Sequence, residues 1–201
     1  MSTRTAARQY WVAIRAMLIF TAVLGVGYTA VITGVGQLAL NSNANGSLVE
    51  SGGQTVGSSL IGQSFADADG AALPEWFQSR PSAAGDGYDG SASSGSNYGP
   101  ESDDLKAAIT DRRSAIAELD GVDEADIPAD ALTASASGLD PHISPAYARL
   151  QVERVAEARD LPVAEVRDLV DAHVQSPDVG FLGEPTVNVL ELNIALATLK
   201  G

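Results

Sequence analysis

The 201-residue sequence has no cysteine, only two lysines and two histidines, and no charged residue from Ala16 to Val49. Without cysteine there are no disulfides and no thiolate chemistry, so any folded part rests on its own core. Two histidines, His142 and His173, without an HExxH run or an EF-hand loop, do not make a metal centre. With only Lys106 and Lys200, no phosphate-binding GxxxxGK[ST] loop exists. The sequence pI of about 4.3 excludes nucleic acid as a partner, because phosphates would be repelled.

What is present is sharply polarised. Arg4, Arg8 and Arg15 are the only charges before Glu50, and all 26 acidic residues follow them, leaving residues 50–201 at a formal −17. Ala16 to Leu38 is long enough as a helix, at roughly 34 Å, to cross about 30 Å of hydrocarbon. A lone segment in lipid must be helical to satisfy its backbone. The run exceeds the roughly 7–15 residues of a signal core and lacks an Ala-x-Ala site, which favours a retained anchor. The expected organisation is a cytoplasmic N-terminus at 1–15, a transmembrane helix at 16–40 and an extracytoplasmic domain at 43–201. Gly27, Ala30 and Gly34 share one helical face, the pattern of a close helix–helix seam in the bilayer.

Residues 43–201 suffice for one compact domain. Its expected class is α+β, helix-rich with short strands near 58–64, 131–135 and 184–187. Residues 79–102, rich in glycine and serine, read as a long exposed loop. Ser102 is placed to cap a helix to Leu119 with Leu105, Ala108, Ile109, Ala115, Ile116 and Leu119 inward. Ser144 and Pro145 start a helix to about Arg159 that buries Ala148, Val152 and Val155. Pro162 opens a third, with Val163, Val166, Val170 and Val174 at helical spacing. Asn188 with Glu191 opens a last, largely apolar one.

Three motifs have structural explanations. Gly85 to Gly90 fits GxGxxG, but neither strand nor helix is expected around it. Ser51 to Gln54 (SGGQ) is similar to the nucleotide-facing signature of ABC transporters, but with only four residues it reads as a glycine turn. Ser135, Ser137, Asp140, His142 and Ser144 suggest an anchored serine hydrolase, yet they crowd into ten residues without a GxSxG elbow. A turn leading into the next helix is the simpler reading.

Several segments together carry a resemblance. Ala44–Leu48 (ANGSL), Gly57–Phe65 (GSSLIGQSF), Arg80–Ala83 (RPSA), Ser94–Asn97 and Leu132–Pro145 (LTASASGLDPHISP) are followed by Gln151, Arg154–Ala156, Ala158–Arg159 and Phe181–Asn193. In this order they resemble the C subunit of the Kdp-type potassium-importing ATPase. Departures are Thr29 after Tyr28, where the family usually has proline and where the change is expected to straighten a helix kink, and Ser94 for a glycine. Trp76-Phe77 also stands where Tyr-Phe is typical.

The resemblance implies a noncatalytic assembly and stabilising subunit. Its partners would be a channel-like A subunit, a P-type B subunit that hydrolyses ATP and a small F subunit, in a bacterial-type membrane. It also implies a catalytic chaperone role that raises the pump subunit's ATP affinity. No cofactor is assigned to this chain, and ATP enters through the pump subunit. The polar residues Arg80, Asn97, Ser135, Ser137, Asp140 and Asn188 lie in the matched motifs as candidate contact residues.

Overall fold

A computed structural model describes residues 3–199, so Met1, Ser2, Lys200 and Gly201 lie outside it. The chain divides into two units, 1–48 and 49–201.

The first unit is a long helix formed by α1 (Thr3–Phe20), a π-wound stretch (Thr21–Tyr28) and α2 (Thr29–Ala39). It starts well before Ala16, so the basic head is helical too. At 100° per residue Arg4, Arg8 and Arg15 fall on one face. The most apolar 18 residues have a mean hydropathy of 2.0, and none of them is buried. That length and composition fit a single-pass anchor. Thr29 does not make the helix regular. The wide turns run up to it, and its hydroxyl donates to the Leu24 carbonyl at 3.4 Å. A short α3 (Asn41–Ala44) and a turn at Asn45 and Gly46 complete the unit.

A hairpin of β1 (Leu48–Ser51) and β2 (Gln54–Ser58) follows, all but its first residue in the second unit. Its turn is the SGGQ segment. Gly52 and Gly53 have φ of +60° and +79°, the left-handed pair that a two-residue hairpin turn requires. The strand expected at 58–64 is reduced to a single bridge between Ser58 and Ile61.

Next come α4 (Asp103–Asp120), α5 (Ala129–Leu132), β3 (His142–Ile143), α6 (Pro145–Leu150), α7 (Val152–Ala158), α8 (Val163–Ala172), β4 (Val174–Gln175), β5 (Thr186–Asn188) and α9 (Val189–Leu196). The strands form an antiparallel sheet in the order β3-β5-β4, with His142 opposite Asn188 and Val174 opposite Val187. Helices α6 to α9 and this small sheet share the core, in which Val155, Val166, Val170, Val187, Leu192 and Leu196 are fully buried. The domain is α+β and helix-rich.

Several expectations need correction. The strand expected at 131–135 is helical in its first part, because α5 packs Ala131 and Leu132 into the core. The strand at 184–187 begins at Thr186. Ser102 makes no side-chain cap; Asp103 and Asp104 instead complement the amide end of α4, and Gly121 closes it with a φ of +65°. No α4 residue is fully buried and Ala115 is exposed, because only Ile109, Ile116 and Ala117 press against the core. The helix expected from Ser144 to Arg159 is split in two at Gln151, a turn residue that ends α6 and precedes α7. Val174 lies on a strand, and Val163 is 39% exposed.

Ser144 and Asn188 do cap α6 and α9. Ser144 Oγ accepts from the Tyr147 amide at 3.0 Å, and Asn188 Oδ1 accepts from the Glu191 amide at 3.2 Å.

Candidate functional site

Three motif segments meet in the second unit: Gly57–Phe65, the 79–97 loop and Leu132–Pro145. The loop has no helix or strand, as expected, but it is not free. Ser82 Oγ donates to the Gly138 carbonyl at 2.6 Å and accepts from the Ala84 and Tyr88 amides. The Ser94 amide donates to the Ser137 carbonyl at 2.9 Å, and Ala84 is fully buried. The loop is thus pinned at Ser82, Ala84 and Ser94, while Asn97 to Glu101 are exposed, as expected. Its GxGxxG segment is a turn, with Gly85 and Gly87 at φ of +56° and +110° and no helix after it.

The packing explains two glycines. A Cβ on Gly138 would lie 2.6 Å from the Ser94 carbonyl oxygen and 2.7 Å from Ala84 Cβ, and its φ of +69° already disfavours other residues. A Cβ on Gly62 would lie 2.4 Å from the Tyr88 ring and 2.6 Å from the Asp140 carbonyl oxygen. These close approaches bring the three segments into one cradle.

Arg80 and Asp140 join across it. Arg80 Nη1 donates to Asp140 Oδ2 at 2.8 Å, and Nη2 donates to the Thr133 carbonyl at 3.4 Å. Burial alone would push the Asp140 carboxyl up. Hydrogen bonds from His142 and the Arg80 pairing outweigh it and hold the pKa at about 2. The Tyr88 hydroxyl donates to the Arg80 carbonyl at 2.7 Å, and burial pushes it up to about 12.

Arg80, Ser135, Ser137 and Asp140 line an open depression of about 800 Å³ together with Leu60 and Ile61. Arg80 Nε and Ser135 Oγ are buried there and make no hydrogen bond to another described residue. Both atoms lie beneath the surface of the depression rather than open to it.

The serine-hydrolase arrangement is not formed. Among the described residues Ser135 Oγ has no hydrogen-bond partner, Ser137 Oγ accepts from the Leu139 amide, and neither bonds His142. His142 faces Asp140 at 3.6 Å and lies on β3. A nucleophile needs its base at hydrogen-bond distance.

The other candidate residues sit elsewhere. Asn97 is exposed, with a φ of +53° that asparagine tolerates. Asn188 is buried beneath the cradle's edge, where its Nδ2 donates to the Ser59 carbonyl at 2.8 Å. Gly27 lies in the π-wound stretch, while Ala30 and Gly34 lie on α2; a Cβ on Gly34 would meet nothing within 4 Å.

A second polar network joins Gln151 and Arg154, two residues of the matched segments, to residues 74–78. Gln151 Oε1 accepts from the Gln78 amide at 2.6 Å, and its Nε2 donates to the Gln78 carbonyl at 3.2 Å. Arg154 bonds Asp120 at 2.7 Å, Gln151 Oε1 at 2.7 Å and the Trp76 carbonyl at 3.0 Å. Burial raises the Asp120 carboxyl, and Arg154 draws it partly back. The guanidinium of Arg159 lies 4.5 Å over the Trp76 ring. Polar residues at otherwise apolar helix positions (Gln151, Arg154, Asn193) were the available signal. This network fixes residues 74–78 and so positions Arg80.

Comparison with known proteins accounts for both units. Residues 10–198 match the family model described as K+-transporting ATPase, c chain. The chain is 54% identical to the potassium-transporting ATPase KdpC subunit of Kineococcus radiotolerans, covering 90% of this chain and 88% of that protein. It is 51% identical to that of Beijerinckia indica over 90% of this chain and 88% of that protein. With the Mycobacterium tuberculosis (H37Ra) subunit the identity is 46%, over 96% of this chain and 99% of that protein.

Proposed function

Because the chain belongs to the KdpC family of K+-transporting ATPase c chains, we propose that it is the noncatalytic accessory subunit of such a pump, needed for assembly and stability. ATP hydrolysis then resides in a P-type B subunit, potassium selection in a channel-like A subunit, and a small F subunit completes the complex. The observation that carries this reading is the pairing of an unburied apolar helix with a separate acidic domain whose motif segments form a pinned cradle. Side chains in that cradle are engaged in holding loops, which suits a surface that positions a partner.

In this reading the basic head stays in the cytoplasm, Gly27, Ala30 and Gly34 pack on a neighbouring helix, and the acidic domain rests outside on the channel subunit near its potassium entrance. ATP is cytoplasmic, so a chaperone effect on the pump subunit's ATP affinity acts through the cytoplasmic head or the anchor rather than through the outer domain. The SGGQ turn, a plain hairpin turn, gives no support to nucleotide binding by the outer domain.

The test is a truncation lacking residues 43–201 but keeping the anchor, expressed with the other subunits in cells lacking this chain. Growth on trace potassium should be lost, and the remaining subunits should dissociate on detergent extraction. Normal uptake by the truncated complex would overturn the assignment.

A further inference from the structure

β4 and β5 are the arms of a hairpin whose root is in the core: Val174 pairs with the fully buried Val187, and β5 is the central strand of its sheet. The tip is very different. Asp178 and Leu182 exchange backbone hydrogen bonds at 2.9 Å each, and the Gly180 amide donates to the Pro177 carbonyl at 2.9 Å. This tight turn holds Val179, Phe181 and Leu182 outward, 82%, 74% and 55% exposed. Val179 has a φ of +55°, a left-handed conformation costly for a β-branched residue. Isolated exposed apolar residues are ordinary, but three on one ordered, strained turn mark a contact surface.

Charge selects the occupant. From Asp168 to Leu199 there is no lysine or arginine, and Asp178 and Glu184 flank the tip. An anionic lipid surface would repel this hairpin, and so would a second copy carrying the same acids. An apolar socket rimmed by basic residues on another protein is the complement. We propose that Val179, Phe181 and Leu182 form a docking finger that inserts into such a socket on another subunit of the same ATPase. This rests on the accessory-subunit reading and names the contact.

The test uses the assembled complex in membranes, with Phe181 replaced by the photo-crosslinker p-benzoylphenylalanine. Irradiation should join this chain to another ATPase subunit. Adducts to lipid alone, adducts to a second copy alone, or no adduct would overturn the finger.

In a second arm, Phe181→Ser with Leu182→Ser should cut co-purification with the other subunits at least ~10-fold, the scale of losing anchor residues. Unchanged amide protection at Val187 and Val189 would show that the hairpin root still folds. Full co-purification of that variant also overturns the proposal. A failed finger with intact potassium uptake leaves the accessory-subunit reading standing, whereas uptake that survives truncation of 43–201 defeats that reading.

Discussion

Phe77 and Asn193, 116 residues apart, exchange two hydrogen bonds: the Phe77 amide donates to Asn193 Oδ1 at 3.0 Å, and Asn193 Nδ2 donates to the Phe77 carbonyl at 2.9 Å. Gln151 does the same for Gln78 from the turn between α6 and α7. Two buried amide side chains thus replace the neighbouring strand that residues 77–78 lack. Replacing Asn193 with alanine strands both backbone groups of Phe77 in a fully buried position. The expected loss is about 2–4 kcal/mol, from two unmet groups and a small cavity. Denaturant unfolding of the purified chain in detergent, followed by tryptophan fluorescence, measures it.

Arg154 and Asp120 form the most buried ion pair, with side chains 6% and 1% exposed. Arg154→Met should destabilise by about 3–5 kcal/mol, because it leaves a carboxylate without its counter-charge. Raising pH should worsen the variant, since the lone buried carboxyl folds best protonated. Adding Asp120→Leu should recover much of the loss, and a double-mutant cycle in the same unfolding assay checks this.

Glycine substitutions separate conformational strain from close packing. Gly52→Ala and Gly138→Ala both force alanine to a positive φ, but a Cβ on Gly52 meets nothing within 4 Å while one on Gly138 strikes the Ser94 carbonyl and Ala84. The first should cost about 1 kcal/mol. The second should cost more and release the 79–97 loop as well. Limited proteolysis should then cut that loop in Gly138→Ala and spare it in Gly52→Ala.

These differences show what could be read from the chain beforehand. The anchor, the caps at Ser144 and Asn188 and the apolar faces of α7 and α9 follow from local periodicity and cap chemistry, which the sequence displays directly. The pinned loop does not, because Ser82, Ser94 and Gly138 are ordinary turn residues until their long-range partners are known. Arg80, Ser135, Ser137 and Asp140 were recognisable only through motif resemblance, and nothing local indicated that they share one depression. No local pattern separates strand from helix at 131–135; packing of Ala131 and Leu132 into the core selects a helical turn.

Asp140 gives a pH dependence with a definite sign. Its folded pKa of about 2 lies below the ordinary 3.8, so the ionised form is favoured in the folded protein. Its contribution is fully present above the ordinary carboxylate value and is lost as pH falls through about 2. Asp140→Asn should abolish that part of the acid dependence and loosen the 79–97 loop at neutral pH. Carboxyl-carbon chemical shifts follow the titration directly. A midpoint near the ordinary value would mean that Arg80 and His142 do not hold the carboxylate.

The π-wound stretch makes a prediction about the anchor. In a regular helix, proline at position 29 would drive its ring into the Gly25 carbonyl and remove a backbone donor. Here the helix is already widened from Thr21 to Tyr28, and wide turns are where membrane helices accommodate such a change. Thr29→Pro should therefore insert, assemble and support potassium uptake much like the parent chain. Val35→Pro, in the regular α2, should lower the assembled fraction severalfold. Membrane fractionation with co-purification distinguishes the two, and equal damage at both positions would show that the wide turns do not relieve the clash.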